Sequence, residues 1–236
     1  MGAHVAQRPA PEKLIDHTLL KAGATSADIE RLCAEAAKYG FMAVCVHPIH
    51  VERCVRALGT SRVHVGTVAG FPFGAQLPQA KAFAAARAIE LGAREIDVVL
   101  DISALLDGRL EDVAADIRTV RKACEGVVLK VILETCYLND AQKRIACRVA
   151  MAEGADFVKT STGIGPAGAT PEDVRLMRET VGPEMGVKAA GGIRNAATFW
   201  TMVRAGANRI GTSSGVNIIE EMKNRDSHLF FSQETP

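Results

Sequence analysis

No run in this chain approaches the ~18 consecutive apolar residues of a membrane-crossing helix. Surplus charge is absent too: 28 basic residues face 27 acidic ones, for a formal net charge of +1. Nucleic-acid binding and polybasic membrane anchoring both need asymmetric charge, so the balance supports neither. None of the six cysteines, Cys33, Cys45, Cys54, Cys124, Cys136 and Cys147, stands in a C-x-x-C pair. That excludes a zinc ribbon or a thioredoxin-like redox site. His17, His47, His50 and His64 lack H-E-x-x-H spacing, and no metal is expected. Residues 1–11 lack the apolar stretch of a signal peptide and are expected to be a disordered leader. What is present is 236 residues, 48% hydrophobic and 23% charged, enough for a sizeable core. Six reduced thiols in a cytoplasmic protein are expected.

One joint recurs along the chain. A helical stretch ends at glycine, a short linker follows, and then a β-branched run. It is found at Gly40, Gly92, Gly154 and Gly206, with looser copies at Gly59, Gly126 and Gly186. Glycine there takes the left-handed conformation that closes a helix. Eight strands are predicted: Leu14–Thr18, Met42–His47, Val63–Ala69, Glu95–Leu100, Val127–Glu134, Phe157–Thr160, Val187–Ala190 and Arg209–Thr212. Most are short and apolar, as strands buried on both faces should be. Helical spacing lies between them. Ile29, Leu32, Cys33 and Ala36 share a face within Thr25–Lys38. Thr170 followed by Pro171 starts a helix well, and Ser26 and Asn139 are similar candidate starts. Strict alternation with eight strands predicts a closed (β/α)₈ TIM barrel over residues 12–222, a single domain. An open doubly wound sheet is the rival, but no G-x-G-x-x-G follows the first strand. Residues 223–236 are expected to form a C-terminal tail, loose or folded as a flap.

Three predicted strands carry a lysine inside an apolar run: Lys130, Lys159 and Lys188. A buried ammonium must be paired or lose its proton. One such lysine alone reads as a structural ion pair. Three in one barrel share an interior, because alternate residues of each strand point inward. Asp16, Asp97, Asp101 and Glu134 hold comparable positions. Charge compensation is the plain explanation. The sharper one is Schiff-base catalysis, in which a lysine beside another cation and screened from water presents a neutral amine to a carbonyl carbon. An acid partner and a bound water then move the protons. Lys130 lies deeper than the others, so the nucleophile is Lys159 or Lys188, with the other tuning it.

Two glycine-rich segments follow the last two strands, at Gly191-Gly192 and at Gly211-Thr212-Ser213-Ser214. Barrels often hold phosphate in these loops, through backbone N–H groups that glycine leaves open. Thr160-Ser161-Thr162-Gly163 is a third candidate. Ordinary turn chemistry would explain each segment singly. Gly70-Phe71-Pro72-Phe73-Gly74 is expected to be a rigid loop at the barrel mouth, lining the site. Cys45 reads as a core thiol and Trp200 as packing.

These segments together resemble the deoxyribose-phosphate aldolases, class I aldolases on a (β/α)₈ barrel. The resemblance rests on Ile15-Asp16-His17-Thr18-Leu19-Leu20-Lys21, Val44-Cys45-Val46, Glu95-Ile96-Asp97-Val98-Val99, Leu129-Lys130-Val131-Ile132-Leu133-Glu134-Thr135, Phe157-Val158-Lys159-Thr160-Ser161-Thr162-Gly163 and Val187-Lys188-Ala189-Ala190-Gly191-Gly192-Ile193-Arg194. It runs from about residue 13 to 222, and its two lysine motifs in this order are specific. The resemblance implies reversible cleavage of 2-deoxy-D-ribose 5-phosphate to D-glyceraldehyde 3-phosphate and acetaldehyde, a step of deoxyribonucleoside catabolism. By that resemblance Lys159 is the Schiff-base lysine, Lys188 the lysine that lowers its proton affinity, and Asp97 the proton relay. Asp16, Thr18 and Cys45 match pocket positions. Thr162, Gly163, Gly191, Gly192, Ser213 and Ser214 fall in the phosphate-binding loops. No cofactor is implied, and a homodimer is expected because family members are commonly dimers.

The chain departs from the family in three places. Asp101-Ile102-Ser103 replaces Asn-Ile-Gly, adding a negative charge near Asp97. Ile164 stands where some relatives have a phosphate-contacting lysine. The final residues, Gln233-Glu234-Thr235-Pro236, lack the terminal tyrosine that assists proton transfer in certain relatives. The alternatives are another barrel lyase or isomerase acting on a sugar phosphate, and a non-catalytic barrel that binds a phosphorylated ligand.

Overall fold

A computed structural model describes residues 10–231, with side chains described up to residue 224. Eight parallel strands close on themselves in chain order, β1 pairing with β8. They are β1 (Ile15–Leu19), β2 (Ala43–Val46), β3 (His64–Ala69), β4 (Glu95–Val99), β5 (Val128–Ile132), β6 (Phe157–Lys159), β7 (Gly186–Ala190) and β8 (Arg209–Thr212). Each lies within two residues of its predicted bounds. The largest trimming is at β5, which ends at Ile132 rather than Glu134. There the backbone turns into the left-handed region, φ +52° at Glu134.

The helices are α1 (Ser26–Tyr39), α2 (Val51–Leu58), α3 (Pro78–Glu90), α4 (Ile102–Leu106), α5 (Leu110–Ala123), α6 (Asp140–Ala152), α7 (Pro171–Val181), α8 (Ala196–Arg204) and α9 (Gly215–Phe231). Local chemistry sets their ends. Thr25 and Asp28 form a reciprocal capping box on α1, one residue before the Ser26 start considered above. Asn139 and Gln142 do the same for α6, and Thr170 caps α7 ahead of Pro171. Such a cap contributes ~1 kcal/mol. Ile29, Leu32, Cys33 and Ala36 are the buried face of α1, as their spacing predicts. Full burial of one such aliphatic side chain contributes ~1.5–3 kcal/mol.

Gly40 closes α1 in the left-handed conformation, φ +68°. Gly186 is different: it lies inside β7, and a Cβ there would meet the Phe157 ring at 2.1 Å. It is a close-packing glycine rather than a helix stop. The boundary drawn at residue 222 falls within α9, which continues to Phe231. Most of the expected leader, residues 1–9, lies outside the described residues, as do 232–236. Pro11 opens a short 3₁₀ turn, Pro11–Leu14, leading into β1.

The apolar core lies between the strands and their helices. All six cysteines are unpaired, and five are buried. Among the described residues no helix is long and apolar enough to cross a membrane.

Candidate active site

The register brings the costly charges side by side. Asp97 on β4 is opposite Lys130 on β5. Lys159 on β6 is opposite Lys188 on β7, which is in turn opposite Arg209 on β8. In-register neighbours in a parallel sheet project to the same face, and here that face is the barrel interior.

A buried ion network results. Lys130 Nζ lies 2.7 Å from both Glu95 Oε2 and Asp97 Oδ1. Lys188 Nζ donates to Asp16 Oδ2 at 2.5 Å and to Asp97 Oδ2 at 2.7 Å. Arg209 donates to Asp16 Oδ1 at 2.7 Å and to Glu95 Oε2 at 2.9 Å. His64 reaches the remaining oxygen of Glu95 at 2.9 Å. Lys159 Nζ has one carboxylate, Asp97 Oδ2 at 2.8 Å, and shares that oxygen with Lys188.

Burial opposes the charge of Asp97. The ammonium groups of Lys130, Lys159 and Lys188 outweigh it and hold its carboxyl well below the usual range. Burial likewise disfavours the Lys188 ammonium, but Asp16 and Asp97 outweigh it and raise its proton affinity. Lys130 is raised in the same way, by Asp97 and Glu95. Burial, reinforced by Asp97, pushes the Cys45 thiol up to about 11, so it is a protonated wall residue.

Above the network opens a cavity of about 360 Å³, within the range of small-ligand sites. Lys159 forms part of its lining, while Lys130, Lys188 and Asp97 do not. Of the other residues singled out in the sequence, Thr18, Thr162, Gly163, Gly191, Gly192 and Ser213 line it. Asp16 and Cys45 sit beneath, in the barrel interior. Ser214 does not line the cavity; its N–H donates to Thr212 Oγ1 at 2.9 Å. The loop after β6 leans on the loop after β7: Ala169 N–H donates to both Ala190 O and Gly191 O at 3.1 Å. A Cβ on Gly168 would meet Gly191 O at 2.3 Å, so glycine is required for that approach.

One expectation needs correction. The Gly70–Gly74 loop does not line the cavity; it closes on itself through Gly74 N–H to Gly70 O at 2.7 Å, with Phe71 edge-on to His47. Asp101 caps α4 by accepting from Ala104 N–H at 3.0 Å, and the partners of Asp97 are the three lysines. Glu134, two residues past the end of β5, holds Thr162.

Glu95 and Arg209 join the network beyond the residues the sequence marks, although they carry the same signal as the lysines, a charge within a β-branched strand. Leu20, Lys21 and Arg194 also line the cavity. Their motifs were noted, but only the turn of each loop brings them inward.

A closed parallel barrel with an amine at the floor of a cavity ringed by glycine-rich loops defines the lysine-bearing barrel lyases as a class. Relatives sharpen that class. A deoxyribose-phosphate aldolase from a Geobacillus species is 54% identical over 209 residues, covering 88% of this chain and 94% of its own. One from Thermococcus gammatolerans is 54% identical over 218 residues, covering 91% and 97%. The solved structure of the tetrameric deoxyribose phosphate aldolase from Aeropyrum pernix superimposes with a TM-score of 0.84 at 36% identity, covering 91% of this chain and 92% of that one. The chain belongs to the DeoC/LacD family of aldolases, whose family model matches residues 12–221.

Proposed function

We propose that the chain reversibly cleaves 2-deoxy-D-ribose 5-phosphate to D-glyceraldehyde 3-phosphate and acetaldehyde through a Schiff base on Lys159. One observation carries the assignment of the lysine: Lys159 alone of the four network cations lines the cavity. It also has the fewest carboxylate partners.

The Lys159 amine adds to the C1 aldehyde, and loss of water gives a protonated imine. That imine withdraws electrons as the C2–C3 bond breaks. The C3 hydroxyl gives up its proton and glyceraldehyde 3-phosphate leaves. The enamine that remains takes a proton at C2, and water releases acetaldehyde and the free lysine. Asp97 stays ionised beside the nitrogen, so it stabilises the iminium and passes protons through a bound water rather than storing them. Lys188, held charged by Asp16 and Asp97, keeps a positive charge beside Lys159 on the oxygen of Asp97 that the two share. Gly163, Gly191, Gly192 and Ser213 cradle the phosphate with backbone N–H groups. Lys21 and Arg194 supply positive charge on the same wall. The protein works in the cytoplasm and as a homodimer; sedimentation separates a dimer from the tetramer of the Aeropyrum relative.

The test is reductive trapping. The protein is incubated with acetaldehyde, or separately with 2-deoxyribose 5-phosphate, reduced with borohydride, and the adduct located by peptide mass spectrometry. A reduced adduct on Lys159, missing from Lys159→Leu, is expected. An adduct on Lys188 would exchange the two lysine roles, and none with either compound would overturn the aldolase reading.

A further inference from the structure

Glu134 is the only described residue other than glycine with a positive φ, +52°. It is 2% exposed and takes no part in the chemistry above. A long side chain in the left-handed region is unfavourable and persists where the surroundings over-determine it.

Those surroundings are the loop that follows the Schiff-base lysine. Thr162 N–H donates to Glu134 Oε1 at 3.2 Å, and Thr162 Oγ1 donates to Oε2 at 2.5 Å. Thr162 Oγ1 in turn accepts from Ile164 N–H at 3.0 Å. A Cβ on Gly165 would stand 3.2 Å from Glu134 Cδ, so the chain wraps closely around the carboxylate. Cys136 Sγ lies 3.9 Å from Oε1. The left-handed turn at Glu134 is what aims its side chain into this loop.

The placement is unexpected on charge alone, because a carboxylate directly beneath an anion-binding loop repels the anion. It is explained if the carboxylate organises the loop. Glu134 and Thr162 consume the N–H groups of residues 162 and 164. Gly163 lies between them at φ +84° and lines the cavity. Resting on the sugar-phosphate reading above, we propose that Glu134 is a positioning residue. It locks residues 162–165 so that Gly163 N–H faces the phosphate, and it thereby sets the preference for phosphorylated over non-phosphorylated substrate.

The experiment measures kcat and KM for 2-deoxyribose 5-phosphate and for 2-deoxyribose in wild type, Glu134→Ala and Glu134→Gln. Acetaldehyde trapping is run alongside. Loss of a charge-assisted hydrogen bond corresponds to about tenfold or more. Glu134→Ala is therefore expected to raise KM for the phosphorylated substrate by that factor. Turnover of 2-deoxyribose and acetaldehyde trapping on Lys159 should be unchanged. Glu134→Gln, which keeps an acceptor oxygen, should recover most of the loss. Equal losses on both substrates, or no change on either, would overturn the inference alone. A wild type that neither cleaves the phosphorylated substrate nor traps acetaldehyde would overturn the aldolase reading and this inference with it. Should Glu134→Ala not fold, Gly165→Ala presses a methyl group against the same carboxylate and is expected to show the same substrate-selective rise in KM; equal effects on both substrates there would also overturn the inference.

Discussion

Lys130 and Lys159 reach the same carboxylate, Asp97, at 2.7 and 2.8 Å, and both are buried. Lys130 lies in the closed part of the barrel, with Glu95 as a second acid at 2.7 Å. Lys159 opens onto the cavity and has no second acid. The network as a whole sharpens the contrast. Its cations are Lys130, Lys159, Lys188 and Arg209, and its carboxylates are Asp16, Glu95 and Asp97. His64 aside, one positive charge has no anion to match it. A buried charge without a counter-charge is costly, and Lys159 has one acid beside it where Lys130 has two within 2.7 Å. Two identical side chains thus differ in role because of partner count and access to the cavity.

The largest effect expected from breaking this comparison is on Lys159. Lys159→Met should lower kcat/KM at least about a thousandfold, since the nucleophile is gone. Its stability should fall little, because Lys159 has one carboxylate, Asp97, which keeps Lys130 and Lys188. Urea unfolding of the variant checks this, and a loss as large as that of Lys130→Met would break the comparison. Lys130→Met takes from Glu95 and Asp97 the cation 2.7 Å from each, leaving Glu95 with Arg209 and His64 and Asp97 with Lys159 and Lys188. It should lose about 1.5–3 kcal/mol of stability in the same assay, the worth of hydrogen bonds between charged groups.

The pH dependence sharpens the contrast next. Asp97 and Glu95 titrate below their ordinary range in the folded protein. Their stabilisation is complete above the unfolded value of ~4 and fades as pH falls through the folded values. Lys130 and Lys188 titrate above theirs, so their stabilisation is complete below ~10.4 and fades as pH rises through the folded values. The network's own contribution should therefore be flat between about pH 4 and about pH 10, while thermal midpoints of the whole protein start to fall above about pH 8.5, where unfolding frees buried thiols such as Cys45 to ionise, and below about pH 6.5, where it frees His17 to protonate. Lys130→Met should lose less on the alkaline side than wild type, because one raised lysine has been removed.

The smallest effect belongs to the cavity rim. Lys21 is exposed and only 3.5 Å from Asp28, a pair that salt screens. Lys21→Gln should raise KM for the phosphorylated substrate a few-fold at low ionic strength, and the difference should vanish in high salt.

Much of this was legible in the chain. Eight β-branched runs separated by helical spacing announced the barrel, and capping residues marked helix starts to within a residue. The cost of a charge in an apolar strand marks Lys130, Lys159 and Lys188 with Asp16 and Asp97, the family resemblance picks Lys159, Lys188 and Asp97 out of that set, and the structure joins those three within 2.8 Å. Glu95 and Arg209 carry the same cost but a weaker signal. Arg209 begins its strand and Glu95 begins β4, where a charged side chain can equally point to solvent. The left-handed turn at Glu134 was invisible, because the run Leu129-Lys130-Val131-Ile132-Leu133 reads as strand up to and through it.

Local composition determined the elements, their order and the residue types available for chemistry, since those depend on near neighbours and on burial of apolar faces. Closure decided the rest. Asp16 meets Lys188 and Arg209 across 172 and 193 residues of chain only because β1 pairs with β8. Partner count, cavity access and the seating of Glu134 beneath its loop are properties of that closed ring, and no stretch of sequence encodes them by itself.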